Sequence, residues 1–286
     1  MATTWILSAI IRSALLQALK QKALDFRILI TEAMAPLKID THQHVMPPAV
    51  KKGSIEKNPD LAQGMKAPDW TSILSCPFPL TVVCHDAAET ARLAREANEY
   101  LASIRDRHPM QVGFFVTLPS AEDTARCIEE IRYALDMLKA DGVVLFTSYN
   151  DKYLGHPDFE PVWRELNSRA AVVSHESTRT AVHLIMTNTM RRCAANCRVI
   201  LSHGGGTLPF VAGRIADLGF QIHLSGKSAD EFLADARLFY FDLALVACNA
   251  ASADEGVAQQ WRAVGDETLI VATRKAAQTL FPRLAD

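Results

Sequence analysis

The chain has 286 residues, of which 49% are hydrophobic, enough apolar material to build one large domain or two small ones around a sizeable core. Its 30 basic and 32 acidic residues leave a formal net charge of −2 with no long run of one sign, which argues against nucleic acid or a membrane surface as a partner. Cys76, Cys84, Cys127, Cys193, Cys197 and Cys248 are scattered through a chain too long to need disulfide staples, and they read as reduced thiols of an intracellular, cytoplasmic protein.

Residues 1–36 are expected to form an N-terminal helical extension. Trp5 to Leu19 is apolar with helical spacing, but Arg12 interrupts it, and it falls short of the ~20 apolar residues of a membrane span. Lys20, Lys22, Asp25 and Arg27 then read as the polar face of an amphipathic helix. No small-residue cleavage site follows, and Asp25 and Glu32 weigh against a mitochondrial presequence. The functional domain is expected to occupy residues 37–286, with Met34 as an alternative start.

That domain opens on Lys38-Ile39-Asp40-Thr41-His42-Gln43-His44, an apolar run ending in two histidines one residue apart. On an extended strand alternate side chains share a face, so His42 and His44 form a pincer suited to zinc or a similar divalent ion. The bland alternative is a pair of surface histidines at a loop mouth. Strand patterns follow at Leu37 to His44, Thr71 to Ser75, Gln111 to Leu118, Gly142 to Thr147, Ala170 to Ser174, Arg198 to His203, Leu238 to Leu245 and Thr268 to Thr273. Helical spacing lies between them at Ala87 to Arg107, Ser120 to Lys139, Phe159 to Ser168, Ser177 to Ala195 and Ala253 to Ala263, with Ser120 read as an N-cap. Strands alternating with helices imply an α/β fold with a parallel sheet, and eight such units point to a TIM-like (β/α)₈ barrel. It is incomplete in one place: Pro47, Pro48, Gly53, Pro59, Gly64 and Pro68 leave the first crossover without a helix.

A second chemical focus is Val199-Ile-Leu-Ser-His203-Gly-Gly-Gly206. A buried strand delivers His203 at its end, where it could ligate a metal, move a proton, or sit as a core histidine. The glycines let the backbone turn closely there, and without a Walker lysine or G-x-G-x-x-G spacing they are not a phosphate loop. Cys193 and Cys197 are one helical turn apart, with no second pair nearby to complete a metal site.

Several stretches together carry a resemblance: Ile39-Asp-Thr-His-Gln-His44 with Pro47-Pro48, Asn98-Glu-Tyr-Leu, Gly113-Phe-Phe-Val-Thr-Leu-Pro119, Tyr133-Ala-Leu-Asp136, Ala140 to Tyr149, the His203 stretch and Phe239-Tyr-Phe-Asp-Leu-Ala244. Over most of residues 37 to 247 the chain resembles the amidohydrolase-related metal-dependent decarboxylases, the family of aminocarboxymuconate semialdehyde decarboxylase and the fungal 6-methylsalicylate decarboxylases. The resemblance implies a barrel, a Zn2+ or Mn2+ cofactor, a homodimer, and a carboxy-lyase acting on a small aromatic or unsaturated acid. It implies that His42 and His44 hold the metal and that His203 transfers the proton. The chemistry agrees, because removing carbon dioxide from an aromatic acid needs a Lewis acid for the oxygen substituents and a proton for the ring carbon. A hydrolase would use the same parts.

The departures from the family pattern are specific. The family's third metal histidine ends the fifth strand; His175 either is that ligand or, after a deletion, belongs to the helix start with Glu176, Thr178 and Arg179. Arg274 stands where an aspartate would complete the metal site, and a cation there would repel a divalent ion. With the weak first crossover, these losses imply a truncated or mis-spliced member, and they keep open a defective paralogue that only binds ligand or a partner. His85, Phe146 and Tyr149 are candidates to line the substrate mouth, though a loop position and ordinary packing explain them equally. His108, His156, His183 and His223 read as structural, and Asp242 as facing a polar partner.

Overall fold

The computed structural model describes residues 39–50, 71–77, 79–82, 84–175, 178–221, 226–242 and 276–284, all within the unit that begins at Lys38. The expected extension 1–36, the strand Thr268 to Thr273, the helix Ala253 to Ala263, Arg274, Glu176, His223 and most of the first crossover lie outside these residues.

Nine strands are described: β1 Ile39–His44, β2 Thr71–Ser75, β3 Val112–Val116, β4 Gly142–Leu145, β5 Ser148–Tyr149, β6 Lys152–Tyr153, β7 Val172–His175, β8 Arg198–Leu201 and β9 Tyr240–Phe241. Seven form one sheet in the order β1-β2-β3-β4-β7-β8-β9, every pair parallel. The remaining two make an antiparallel hairpin across Asn150 and Asp151, both at positive φ, the geometry of a tight two-residue turn. The helices are α1 Ala87–Arg107, α2 Thr124–Arg132, α3 Glu160–Ser168, α4 Thr178–Met186, α5 Thr189–Arg192, α6 Leu208–Gln221 and α7 Ala229–Ala236. Among the described residues, no helix is long and apolar enough to cross a membrane.

Side-chain alternation divides the sheet into two faces. Leu74, Phe114, Val116, Val143, Leu145, Val173, Val199 and Leu201 pack with helix residues such as Leu101, Ile131, Trp163 and Leu184. Their immediate neighbours Ile73, Phe115, Val172 and Ile200, with Ile39, Val144 and Tyr240, face the other way and pack on Leu280, Phe281 and Leu284. Strands buried on both faces are the mark of a helix-covered parallel sheet. The sheet is also strongly curled. Six inter-strand steps of ~4.8 Å would hold β1 and β9 roughly 29 Å apart in a flat sheet, yet His42 of β1 and Asp242, next after β9, are 2.9 Å apart. This is a TIM-like barrel, incomplete in the described residues.

The interior is closed at the strands' N-terminal ends. Arg283 donates to both carboxylate oxygens of Asp141, at 2.7 and 2.6 Å, and to the carbonyls of Pro109 and Val112, which seats Phe281 5.9 Å from the Phe115 ring. The expected cap at Ser120 is corrected: α2 begins at Thr124 behind Asp123, which accepts from the Arg126 N–H, while Ser120 accepts from the Glu122 N–H within the preceding turn.

Candidate metal centre and active site

The strand register decides where the two β1 histidines point. Ile39 and Asp40 pair with Thr71 and Ser72, but Gln43 and His44 pair with Leu74 and Ser75, so β1 carries one extra residue between Asp40 and Gln43. In an unbroken strand His42 and His44 would lie on the face opposite Ile39, against the helices. The bulge resets the phase and turns them inward. His44 then sits opposite Ser75, its Nδ1 3.0 Å from the Ser75 hydroxyl, and the two imidazoles meet edge to face with ring centroids 4.7 Å apart.

His203 reaches the same place by a different device. Behind β8 the chain enters four consecutive residues at positive φ, His203 at +56°, Gly204 at +65°, Gly205 at +75° and Gly206 at +59°. This left-handed turn carries the His203 ring to 4.7 Å from that of His42. The glycines are required by space as well as by φ, since a Cβ on Gly205 would lie 2.3 Å from the Phe241 ring and one on Gly206 2.8 Å from the Thr178 hydroxyl. A histidine at positive φ is strained backbone, held by its surroundings.

Asp242 supplies much of that hold. Tyr240 faces the interior, so two residues on Asp242 does also. Its Oδ2 lies 2.9 Å from His42 Nδ1, its Oδ1 accepts the His203 N–H at 2.7 Å, and its carbonyl accepts the Gly204 N–H at 2.8 Å. Donor atoms of His42, His203 and Asp242 all lie within 4.8 Å of one another. Asp242 was expected to face a polar partner rather than the metal; its partner is His42, and it also stands in the group of residues that could hold a metal ion. The alternation in Phe239-Tyr-Phe-Asp242 was the signal that could have found it.

An amidohydrolase family model matches residues 39–226. The chain belongs to the amidohydrolase family. A 6-methylsalicylic acid decarboxylase of Aspergillus aculeatus is 40% identical over an alignment 256 residues long, and the match covers 74% of this chain and 77% of the relative. Among solved structures, the 2,6-dihydroxybenzoate decarboxylase of Rhizobium is similar with a TM-score of 0.64 at 16% identity, covering 86% of this chain and 98% of that one. A dihydroxybenzoic acid decarboxylase of Polaromonas, solved with bound manganese, gives a TM-score of 0.62 at 17% identity over 86% of this chain and 97% of that one. At those identities the two structures support the fold.

Within this amidohydrolase chain the other expected site residues are placed as follows. His175 ends β7 and is fully buried, but it shares the helix-facing side with Val173. Its register partners Leu145 and Leu201 pack in the helix-facing core, and its ring faces Phe239 at 6.5 Å. It is absent from the group formed by His42, His203 and Asp242, because strand alternation points it outward. Tyr149 is buried in the same core; its hydroxyl accepts the Phe146 N–H at 3.3 Å, and burial pushes its pKa up. Phe146 packs partly buried against that core. His85 is exposed just before α1. Cys193 and Cys197 are buried free thiols, and burial raises both pKa values, that of Cys197 to about 12, so neither is poised as a thiolate ligand. His108 caps the end of α1 through its N–H to Arg105, and His156 accepts from the Asp158 N–H; both are structural, as expected.

Proposed function

We propose that this chain is a metal-dependent carboxy-lyase that removes carbon dioxide from a small aromatic acid of the 6-methylsalicylate class. The observation that carries the reading is the convergence of three imidazoles, His42, His44 and His203, at the C-terminal ends of the barrel strands, in a chain 40% identical to a 6-methylsalicylic acid decarboxylase. Barrel enzymes place their chemistry at this end.

The residues fit a divalent ion. The His42 and His44 rings, with centroids 4.7 Å apart, offer the imidazole nitrogens that zinc and manganese accept, and the Asp242 carboxylate lies beside His42 as a partner for its other ring nitrogen. His42 and His44 would hold the ion, which when bound supplies a positive charge that fixes and polarises the oxygen substituents of the acid. His203 acts as the general acid. It gives its proton to the ring carbon bearing the carboxylate; the bond to that carboxylate then breaks, its electron pair restores the aromatic ring, carbon dioxide leaves, and solvent reprotonates the imidazole.

We place the catalytic domain at residues 37–286 and the protein in a reducing cytoplasm, in line with five free cysteines among the described residues. The outward direction of His175 favours a second reading, a metal-poor paralogue that keeps the barrel without the reaction. One experiment separates them: metal content by mass spectrometry together with carbon dioxide release from salicylate-type acids, with His42→Ala and His203→Ala as controls. The enzyme reading expects about one zinc or manganese per chain, lost in the His42 variant, and turnover lost in both. Wild-type protein without stoichiometric metal after reconstitution would sink it.

A further inference from the structure

We propose that Asp242 is a positioning residue that sets the tautomer of His42 and ties it to His203, an inference that rests on the metal-centre reading above. Both carboxylate oxygens are committed, Oδ2 to His42 Nδ1 at 2.9 Å and Oδ1 to the His203 N–H at 2.7 Å. The side chain is 3% exposed, so these bonds form with little competition from water. A carboxylate only accepts hydrogen bonds, so His42 Nδ1 is the protonated nitrogen and Nε2 carries the lone pair that a metal needs. Carboxylates that take the far N–H of a ligating histidine fix its ring orientation and raise its basicity.

The second bond makes Asp242 more than an orienting partner for one ligand. His203 sits at φ +56°, and Asp242 holds that strained residue through the His203 N–H and its successor through the Gly204 N–H. One side chain therefore fixes the metal-holding ring of β1 and the backbone that carries the proton donor. The two reacting groups keep their separation because they share an anchor. With its oxygens bonded to His42 and to the His203 N–H, Asp242 acts through these two residues.

Asp242→Asn tests this with little change of shape. The amide oxygen still accepts the His203 N–H, but the amide nitrogen donates toward His42 Nδ1, so His42 must switch to the Nε2–H tautomer and lose its lone pair there. In metal-free protein with ¹⁵N-labelled histidine, NMR should show His42 protonated at Nδ1 in wild type and at Nε2 in the variant. Chelator competition should show the zinc Kd raised about 10–100-fold, and kcat should fall while KM changes by less than roughly twofold. A wild-type spectrum with His42 protonated at Nε2 overturns the proposal, and this measurement needs no variant to fold. So does an Asp242→Asn protein that binds zinc as wild type does. If the tautomer switches and zinc weakens while wild type releases no carbon dioxide from any salicylate-type acid, the positioning role stands and the decarboxylase reading fails.

Discussion

The two ends of the barrel solve opposite problems. At the N-terminal end Leu280, Phe281 and Leu284 fill the interior against Ile73, Phe115, Val172 and Ile200, and a bidentate Arg283–Asp141 pair fastens them. At the C-terminal end the interior holds imidazoles and a carboxylate, reached through a bulge in β1 and a left-handed turn after β8. Apolar burial supports the first end, while the second is strained and polar and is held by its own hydrogen bonds to Asp242. Stability and chemistry are therefore separable along the barrel axis, and substitutions at either end should test that separation.

The largest effect is expected at the mouth. His203→Ala should lower kcat about 10²–10⁴-fold, the usual contribution of a positioned general acid, with the circular dichroism spectrum and denaturant midpoint unchanged; a lost midpoint would show that the mouth also supports the fold. At the bottom, Phe281 is 2% exposed, and Phe281→Ala should destabilise by about 3–5 kcal/mol in urea unfolding. Turnover per folded molecule should be preserved, and a matching loss of turnover would break the separation.

Smaller effects sharpen it. Arg283→Ala strands the buried Asp141 carboxylate, although a second oxygen contact from the Phe114 N–H remains, and should cost about 1.5–3 kcal/mol in the same assay, again without change in KM. Gly205→Ala forces a Cβ toward Phe241 at φ +75°. It should cost about 1–2 kcal/mol and, unlike the bottom variants, also weaken zinc retention on dialysis. The smallest expected effect lies outside both ends. Burial, and next the charge of His156, holds the His183 pKa below its ordinary value of 6.5. The unfolded chain then binds the extra proton, so stability should fall as pH drops through about 6.5, and His183→Gln should flatten that slope in melting curves recorded across it.

What the sequence made legible follows from how local each signal is. Thr71–Ser75 and Ala87–Arg107 were readable to the residue, one as a fully buried run and the other as a long amphipathic stretch behind Asp86. Strand β7 runs Val172–His175 where Ala170 to Ser174 was expected, because Ala170 at φ +48° still belongs to the turn. Helix α6 was missed since Gly206 to Phe210 reads as loop, yet Pro209 beside its first residue was a usable start signal. Helix α7 was missed despite an explicit capping box of Ser228 and Glu231, and the β5–β6 hairpin despite Asn150-Asp151. At the mouth, the histidines whose rings lie together, His42, His44 and His203, were the ones singled out from residue type and strand ends. The direction of His175 and the Asp242 contact, 200 residues away from His42, depend on strand phase and sheet curl, which no local pattern carries.

The extra residue in β1 reduces to a question of parity. From Ile39 to His42 is three steps and to His44 five, both odd, whereas the partner strand counts four from Thr71 to Ser75. An odd count cannot keep a hydrophobic anchor and a reactive pair on one side of a regularly pleated strand; the bulge absorbs the fifth step, so His44 still meets Ser75 on the anchor's side. The chemistry at the mouth is thus fixed by an arithmetic of positions as much as by which amino acids occupy them. Removing Thr41 would leave an unbroken strand with His42 opposite Ile73 and His44 opposite Ser75, two and four steps from Ile39, so both imidazoles would still face inward without the bulge.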